Sequence, residues 1–119
     1  MQAVILAAGQ GIRLRPMTSF IPKCLLKVGK KPILEHTFSQ LPNEIHEVII
    51  VVGHLQEQIR KYFGRNFCGR PIRYIEQPEK LGTGHALFIC KNSLEDKKFL
   101  VMMGDDLYLK KRHQKMSKA

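Results

Sequence analysis

The strongest constraint on the fold is an alternation of short apolar runs with stretches of helical periodicity. The apolar runs are nearly free of polar residues, as expected for parallel strands buried on both faces, and they occupy residues 3–8, 47–52 and 99–103. Apolar residues at helical spacing accompany them in residues 32–41, 55–63 and 84–92. Because strands that alternate with helices form parallel sheets through crossover connections, we predict an α/β domain: a Rossmann-like, mostly parallel sheet with helices on both faces.

Two weaker extended segments, residues 24–28 and 72–76, are predicted to add strands to this sheet. The first helix is expected to begin at Pro32, since a helix's first turn does not need the missing N–H. Gly64 is expected to end the second helix, because glycine readily takes the left-handed conformation found there. The predicted order is strand, strand, helix, strand, helix, strand, helix, strand.

Length and charge set the domain organisation. The chain has 119 residues, room for one domain, and a net charge of +10 from 20 Lys and Arg against 10 Asp and Glu. Half of that excess lies in residues 110–118, which hold five basic residues and no acid. We predict a domain over residues 1–109 and a basic tail or short helix over 110–119. A solvated helix face accounts for the tail more simply than an RNA-binding arm.

Nucleic acid and membrane partners rank low. The chain has three Tyr and no Trp, and we find no nucleic-acid-binding motif in it. No apolar run approaches the roughly 18–20 residues that span a bilayer, and residues 3–8 are too short for a signal sequence. Cys24, Cys68 and Cys90 form no Cys-x-x-Cys pair and are expected to be free thiols. We expect a cytoplasmic protein.

The carboxyl ends of parallel strands are where open α/β sheets bind ligands, and a glycine-rich segment follows the first predicted strand. Gly9 and Gly11 would let the backbone approach an anion, and Arg13 adds a fixed positive fork. A dinucleotide-binding motif would require a further glycine where Leu14 stands. An ordinary strand-to-helix turn with a surface arginine is the alternative.

Two further segments carry candidate ligand-binding residues. Lys23 follows a proline and could reach a phosphate, although a surface lysine is the simpler interpretation. Gln77 ends a predicted strand, and its amide can donate and accept at once, as reading a base edge requires. Gly82 and Gly84 leave space for a flat ring, unless Thr83 merely caps a helix.

Asp105 follows the last apolar strand and suits Mg²⁺, which takes oxygen ligands and keeps several waters. An aspartate in a tight turn is the alternative interpretation of this residue.

Taken together, these segments resemble the sugar-phosphate nucleotidyltransferases, also called NDP-sugar pyrophosphorylases. The resemblance covers about residues 2–109, and its motifs are residues 4–16 (VILAAGQGIRLRP), 22–26 (PKCLL), 29–34 (GKKPIL), 77–86 (QPEKLGTGHA) and 104–105 (GD). The motif of residues 81–86 is most similar to uridylyltransferases that act on N-acetylglucosamine 1-phosphate or glucose 1-phosphate. The resemblance therefore implies a nucleotide-diphospho-sugar transferase fold, of which this chain carries the N-terminal, nucleotide-binding half.

The resemblance also implies a reaction. The phosphate of a sugar 1-phosphate attacks the α-phosphorus of a nucleoside triphosphate, with UTP or dTTP favoured, and pyrophosphate leaves. Positioning and charge neutralisation carry such chemistry. By the family's pattern, the triphosphate-lining residues are Ala8, Gly9 and Gly11; the catalytic cations are Arg13 and Lys23; the base-reading residues are Gln77, Gly82 and Thr83; and the Mg²⁺ ligand is Asp105.

The sequence departs from the family at Ile12, at Cys24 and Lys27, which replace commoner prolines, and in length. Ile12 stands where the family usually has Thr. The family's catalytic domain is also longer, and its second half supplies the sugar pocket and a second acidic metal ligand. We therefore expect nucleotide binding with little turnover by this chain alone, completed by a C-terminal half or by self-association into a homo-oligomer. The alternative is a non-catalytic nucleotide-binding or regulatory module of the same fold.

Overall fold

The computed structural model describes residues 1–8, 21–53, 55–77, 82–95 and 98–104, with the backbone alone described at Gly82 and Thr83. Its strands are β1 (Gln2–Ala7), β2 (Lys27–Val28), β3 (Lys31–Pro32), β4 (Glu47–Val52), β5 (Asn66–Phe67), β6 (Arg70–Glu76) and β7 (Phe99–Met103). Its α-helices are α1 (Ile33–Ser39), α2 (Gln56–Phe63) and α3 (Gly82–Ile89). Short 3₁₀ turns occupy Lys23–Leu25 and Lys91–Ser93.

The central sheet has five strands in the order β5-β6-β4-β1-β7. Strands β6, β4, β1 and β7 run parallel, and β5 joins β6 as an antiparallel hairpin. The register is even: Leu6 lies opposite both Val51 and Met103, and Val52 lies opposite Glu76. The parallel strands therefore end together and form one carboxyl edge. This arrangement confirms the predicted α/β class with its mostly parallel sheet.

Both faces of the sheet are covered, which explains the continuous apolar runs. The face that carries Ile5 and Ile50 packs against buried side chains of α1 and α2, including Phe38 and Phe63. The opposite face packs against α3, where the buried residues of the helix and its end are Ala86 and Cys90. Successive residues of β1 and β4 alternate between these two layers. Each fully buried aliphatic or aromatic side chain contributes about 1.5–3 kcal/mol of transfer free energy, so both layers stabilise the sheet.

The segment over residues 24–28 is a correction to the sequence-based prediction. Instead of one strand, it forms the 3₁₀ turn at Lys23–Leu25 and then β2, which pairs with β3. Gly29 takes a positive φ of 70° in the turn between them. Cys24 is 3% exposed and packs into the core. Burial of the Cys24 side chain and the tight turn at Gly29 favour a 3₁₀ turn followed by a short hairpin over one extended strand.

The helix boundaries differ slightly from those predicted. Pro32 lies just before α1 rather than inside it, and α3 ends at Ile89 and is followed by a 3₁₀ turn. Gly64 ends α2 with a φ of 66°, as predicted. Within the described ranges, no helix is both long and apolar enough to cross a bilayer.

Candidate functional site

The ends of the parallel strands bring four residues to the carboxyl edge of the sheet: Ala8, Gly53, Gln77 and Gly104. They are tightly packed at Gly53, where an added Cβ would lie 3.2 Å from the Gln77 carbonyl oxygen and 3.3 Å from that of Ala8. Separations this short are tighter than most Cβ contacts, so a side chain here would require these backbone atoms to shift by a few tenths of an ångström. The absence of a Cβ at Gly53 therefore allows the ends of β1 and β6 to approach on either side of β4.

Gln77 is held by both its backbone and its side chain. Its backbone N–H donates to the Val52 carbonyl over 2.8 Å, which continues the β4–β6 pairing by one residue. Its side-chain Nε2 lies 3.0 Å from Nδ1 of His85, in the first half of α3. Gln77 is 7% exposed, and a buried amide is stable only when hydrogen-bonded. The arrangement ties the end of β6 to α3.

Lys23 begins the 3₁₀ turn Lys23–Leu25, which packs on the sheet face that carries α1. The Leu25 N–H donates to the Pro22 carbonyl (2.9 Å) and the Leu26 N–H to that of Lys23 (3.1 Å), which fixes the turn. The neighbouring Cys24 belongs to the same core cluster as Ala7, at the end of β1. The Lys23 backbone is thus anchored on the layer that carries α1, the opposite layer from His85.

Gly104 packs closely against β1 at the end of β7. Its N–H donates to the Leu6 carbonyl over 2.9 Å, and an added Cβ would lie 3.3 Å from the Ala7 Cβ. Gly104 directly precedes Asp105 in the sequence. Within the part of the chain that the structure describes, no group of three His, Cys, Asp or Glu side chains could hold a metal ion.

The predicted site residues therefore fall into four groups. Ala8 and Gln77 lie at the carboxyl edge, one on either side of Gly53. Gly82 and Thr83 are the first residues of α3, and Lys23 lies on the opposite layer. Outside the described residues lie the other four: Gly9, Gly11, Arg13 and Asp105.

Two residues of this edge received no site role from the sequence. Gly53 directly follows the apolar run of residues 47–52, and His85 lies within the motif of residues 77–86. A glycine directly after a buried parallel strand is a usable signal for close backbone approach at that edge. No sequence signal identifies the Gln77–His85 contact, because it depends on how α3 packs against the sheet.

Comparison with known proteins gives concordant matches. The Nucleotidyl transferase family model matches residues 2–119. The bifunctional protein GlmU of Methanococcus maripaludis is 43% identical over 108 residues, covering 91% of this chain and 25% of that protein. The UTP–glucose-1-phosphate uridylyltransferase AglF of Haloferax volcanii is 41% identical over 109 residues, covering 91% of this chain and 44% of that protein.

Solved structures agree. A candidate glucose-1-phosphate thymidylyltransferase from Bacillus anthracis, in complex with sucrose, superposes with a TM-score of 0.87 at 26% identity, covering 97% of this chain and 49% of that one. UTP-bound UGPase from Acinetobacter baumannii superposes with a TM-score of 0.79 at 25% identity, covering 87% of this chain and 45% of that one.

This chain therefore spans between a quarter and a half of the length of the relatives it matches. The match nevertheless runs through all four parallel strands and the carboxyl edge that joins Ala8, Gly53 and Gln77. Because the family model covers nearly every residue and the fold is the one its solved relatives share, the chain belongs to the nucleotidyl transferase family.

Proposed function

We propose that the protein containing this chain transfers a nucleotidyl group from a nucleoside triphosphate, with UTP or dTTP favoured, to a sugar 1-phosphate. The observation that carries the proposal is the buried amide of Gln77, held at the carboxyl edge across Gly53 from Ala8. The names of two matched proteins support the substrate class, since one is a UTP–glucose-1-phosphate uridylyltransferase and the other is a UTP-bound UGPase.

The reaction balances without a covalent enzyme intermediate. A phosphate oxygen of the sugar 1-phosphate forms a bond to the α-phosphorus of the nucleoside triphosphate. The bond from the α-phosphorus to the bridging oxygen of the β-phosphate breaks, and pyrophosphate leaves with that electron pair. Positioning and charge neutralisation are what the protein must provide for such a transfer.

The base is proposed to lie between the end of β6 and the start of α3. A uracil or thymine ring presents a donor at N3 between two carbonyl acceptors. The amide of Gln77 offers a matching acceptor and donor, and its rigid attachment lowers the entropy lost on binding. Gly82 and Thr83 are proposed to lie beside the same ring.

The triphosphate is proposed to lie across the end of β1. Ala8 stands at the carboxyl edge, and Gly9, Gly11 and Arg13 follow it within five residues of sequence. Arg13 is assigned to the leaving pyrophosphate, and Lys23 is assigned to the phosphates on the reacting side. Loss of one such positioned cation should cost about 3–4 kcal/mol of transition-state stabilisation, by analogy with the loss of an oxyanion donor.

Mg²⁺ is the proposed metal. The residue before Asp105, Gly104, packs at the carboxyl edge beside Ala7, and this placement supports Asp105 as a ligand near the triphosphate. A carboxylate oxygen is the donor that Mg²⁺ prefers. When bound, the metal would neutralise charge on the phosphates.

The remaining partners are proposed on chemical grounds. Because this chain covers 25–49% of the matched proteins, the sugar 1-phosphate pocket is assigned to further parts of the protein or to a second copy in a homo-oligomer. A cytoplasmic location is proposed because Cys24, Cys68 and Cys90 are all free thiols, as is usual in reducing compartments. We propose no membrane or nucleic acid partner.

A pyrophosphate-release assay on the full-length protein tests the reaction. With UTP or dTTP and Mg²⁺, release should require a sugar 1-phosphate, and a nucleotide sugar should accumulate in equal amount. Tight nucleotide binding without release across a panel of sugar 1-phosphates would instead favour the alternative function, a non-catalytic nucleotide-binding or regulatory module.

A further inference from the structure

Strand β7 lies at one border of the central sheet. It pairs with β1, and no strand of the described ranges pairs with its other side. The Gly104 N–H donates to the Leu6 carbonyl. Because backbone groups alternate in direction along a strand, those of Leu100 and Met102 also face β1, and those of Val101 face away from it. Val101 therefore presents a donor and an acceptor at this border.

The side chains of β7 show that the layer containing α3 does not fully cover the strand. Every residue of β1 is buried, whereas burial alternates along β7. Leu100 and Met102 are fully buried on the face that carries α1. Phe99 and Val101, on the face that carries α3, are only half-buried. The border thus combines outward-facing backbone groups with partly uncovered apolar side chains.

The opposite border of the sheet is protected in the ways that strand edges usually are. Strand β5 has only two residues, and β6 carries Pro71 and the exposed Arg73. Short strands, proline and charge all disfavour the pairing of an edge with another chain. Strand β7 has five residues and contains neither proline nor charge. The two borders therefore differ in their capacity to accept a further strand.

Charge indicates how a second copy of this chain could meet β7. Each copy carries a net charge of +10, so two copies need an uncharged surface for close approach, and β7 supplies one. Lys98 is exposed just before the strand. Antiparallel pairing about a two-fold axis at Val101 would separate the two Lys98 residues by about 20 Å, at about 3.4 Å per residue. That separation exceeds the screening length of about 8 Å at physiological ionic strength.

Parallel pairing in register would instead place the two Lys98 residues opposite each other, and like charges placed directly opposite are destabilising. With the axis at Val101, the two valines would exchange both N–H···O bonds, as a hydrogen-bonded antiparallel pair does. Charge and backbone direction therefore favour the same arrangement.

We propose that β7 pairs antiparallel with β7 of a second copy, about a two-fold axis at Val101, and joins the two central sheets into one. Assembly stops at a dimer, because the interface is the same patch on both copies and the opposite border is protected. The antiparallel arrangement places the two carboxyl edges at opposite ends of the joined sheet. The interface is therefore independent of the proposed nucleotide site.

Sedimentation of the full-length protein over a dilution series tests the proposal, with a dimer as the expected largest species. Val101→Lys places two like charges at the axis and should raise the dimer dissociation constant at least about a hundredfold. Val28→Lys is the matched control, since Val28 is 41% exposed on β2, outside the central sheet. It should leave the dissociation constant within about twofold, the scale of a surface substitution away from the contact.

Hydrogen exchange of the wild-type protein gives a second test that needs no variant. The Val101 amide should be protected at concentrations where the dimer forms and should lose that protection on dilution. The Met102 amide, which faces β1, should stay protected throughout and serves as the internal control.

Several results would overturn the inference. A wild-type protein that stays monomeric, or that associates beyond two copies, would contradict the two-fold pairing, as would equal effects of Val101→Lys and Val28→Lys. Protection of the Val101 amide in a monomer would show that another part of the same chain covers this border. Failure to bind any nucleoside triphosphate would contradict the proposed function alone and would leave the dimer unaffected.

Discussion

Gly53 matters at the scale of the single residue because it lies between two strand ends that both contribute to the candidate site. Its neighbours, the carbonyl oxygens of Gln77 and Ala8, would lie 3.2 and 3.3 Å from an added Cβ. Both are backbone atoms, which cannot turn away as the end of a flexible side chain can. A methyl group at Gly53 would therefore push these two strand ends apart by a few tenths of an ångström.

Gly53→Ala should lower the free energy of unfolding by about 1–3 kcal/mol, as overpacking usually does. It should also weaken UTP binding, because Ala8 and Gln77 must move apart. Urea unfolding and calorimetry measure the two effects.

Gly84→Ala is the matched control for stability. Gly84 lies in α3 with no described atom within 4 Å of an added Cβ. The Gly84→Ala variant should be as stable as the wild type or more stable by up to about 1 kcal/mol, because alanine has a higher helix propensity than glycine. Equal unfolding midpoints for Gly53→Ala and the wild type would show that the edge has more room than the structure gives it.

Variants of two charged residues assigned to the triphosphate site, Asp105 and Arg13, should differ in how their UTP binding depends on Mg²⁺. Asp105→Asn should weaken UTP binding in Mg²⁺ and have little effect in EDTA, since a carboxylate acts through the cation. Arg13→Ala should weaken binding in both conditions, because a guanidinium contacts phosphate directly. Calorimetry with and without Mg²⁺ distinguishes them, and an unchanged metal dependence in Asp105→Asn would leave Asp105 as a turn residue.

Cys90 gives a pH-dependent prediction. It is fully buried, and burial raises the pKa of its thiol above the ordinary cysteine value. The unfolded chain therefore loses this proton at lower pH than the folded chain, so this group's contribution lowers stability as pH rises through the ordinary cysteine pKa. The unfolding midpoint should therefore decrease as the pH is raised from neutral to about 9.5.

Cys90→Ala is the control for that pH dependence, because it should flatten the slope. In the same pH range, iodoacetamide should modify the exposed Cys68 first and Cys90 only on unfolding. Early modification of Cys90 in the native protein would contradict its burial.

Arg70 connects two elements from the start of β6. Its Nε donates to the Ile45 carbonyl and its Nη2 to the Pro42 carbonyl, each over 2.9 Å. These contacts hold the connection between α1 and β4 against the sheet. A charged donor shared by two backbone carbonyls is worth more than an average surface contact.

Arg70→Met should lower the free energy of unfolding by about 1–3 kcal/mol, since it leaves these carbonyls without their donor. Arg65→Met, at an exposed arginine in the turn after α2, should change it by less than about 0.5 kcal/mol. Urea unfolding of the two variants gives the comparison. Equal effects would show that the contacts of Arg70 do not hold this connection.

How well each element could be predicted follows from how it is buried. β4 and β7 have the predicted bounds, and β1 differs by one residue, because both of their faces are covered and the apolar runs are continuous. Residues 24–28 gave no such signal: one buried cysteine and a glycine turn decide their conformation. Local turns of this kind are set by tertiary packing that periodicity does not reveal.

At the scale of the whole molecule, the sheet order explains how distant sequence motifs can share one site. β1 lies between β4 and β7, so Ala8, Gly53 and Gly104 are neighbours although 96 residues separate the first from the last. The parallel topology predicted from the sequence already implied this common edge. It did not give the contact of Gln77 with His85 or the close packing at Gly53, which require the positions of α3 and β6 in space.

The central claim is that this carboxyl edge binds a pyrimidine nucleoside triphosphate. Calorimetry of the full-length protein with UTP, dTTP, ATP and GTP in Mg²⁺ tests it most directly, with Gln77→Leu as the variant that removes the base-reading amide. UTP or dTTP should bind more tightly than either purine triphosphate, and Gln77→Leu should remove most of this preference. Equal or tighter binding of ATP or GTP to the wild-type protein would contradict it.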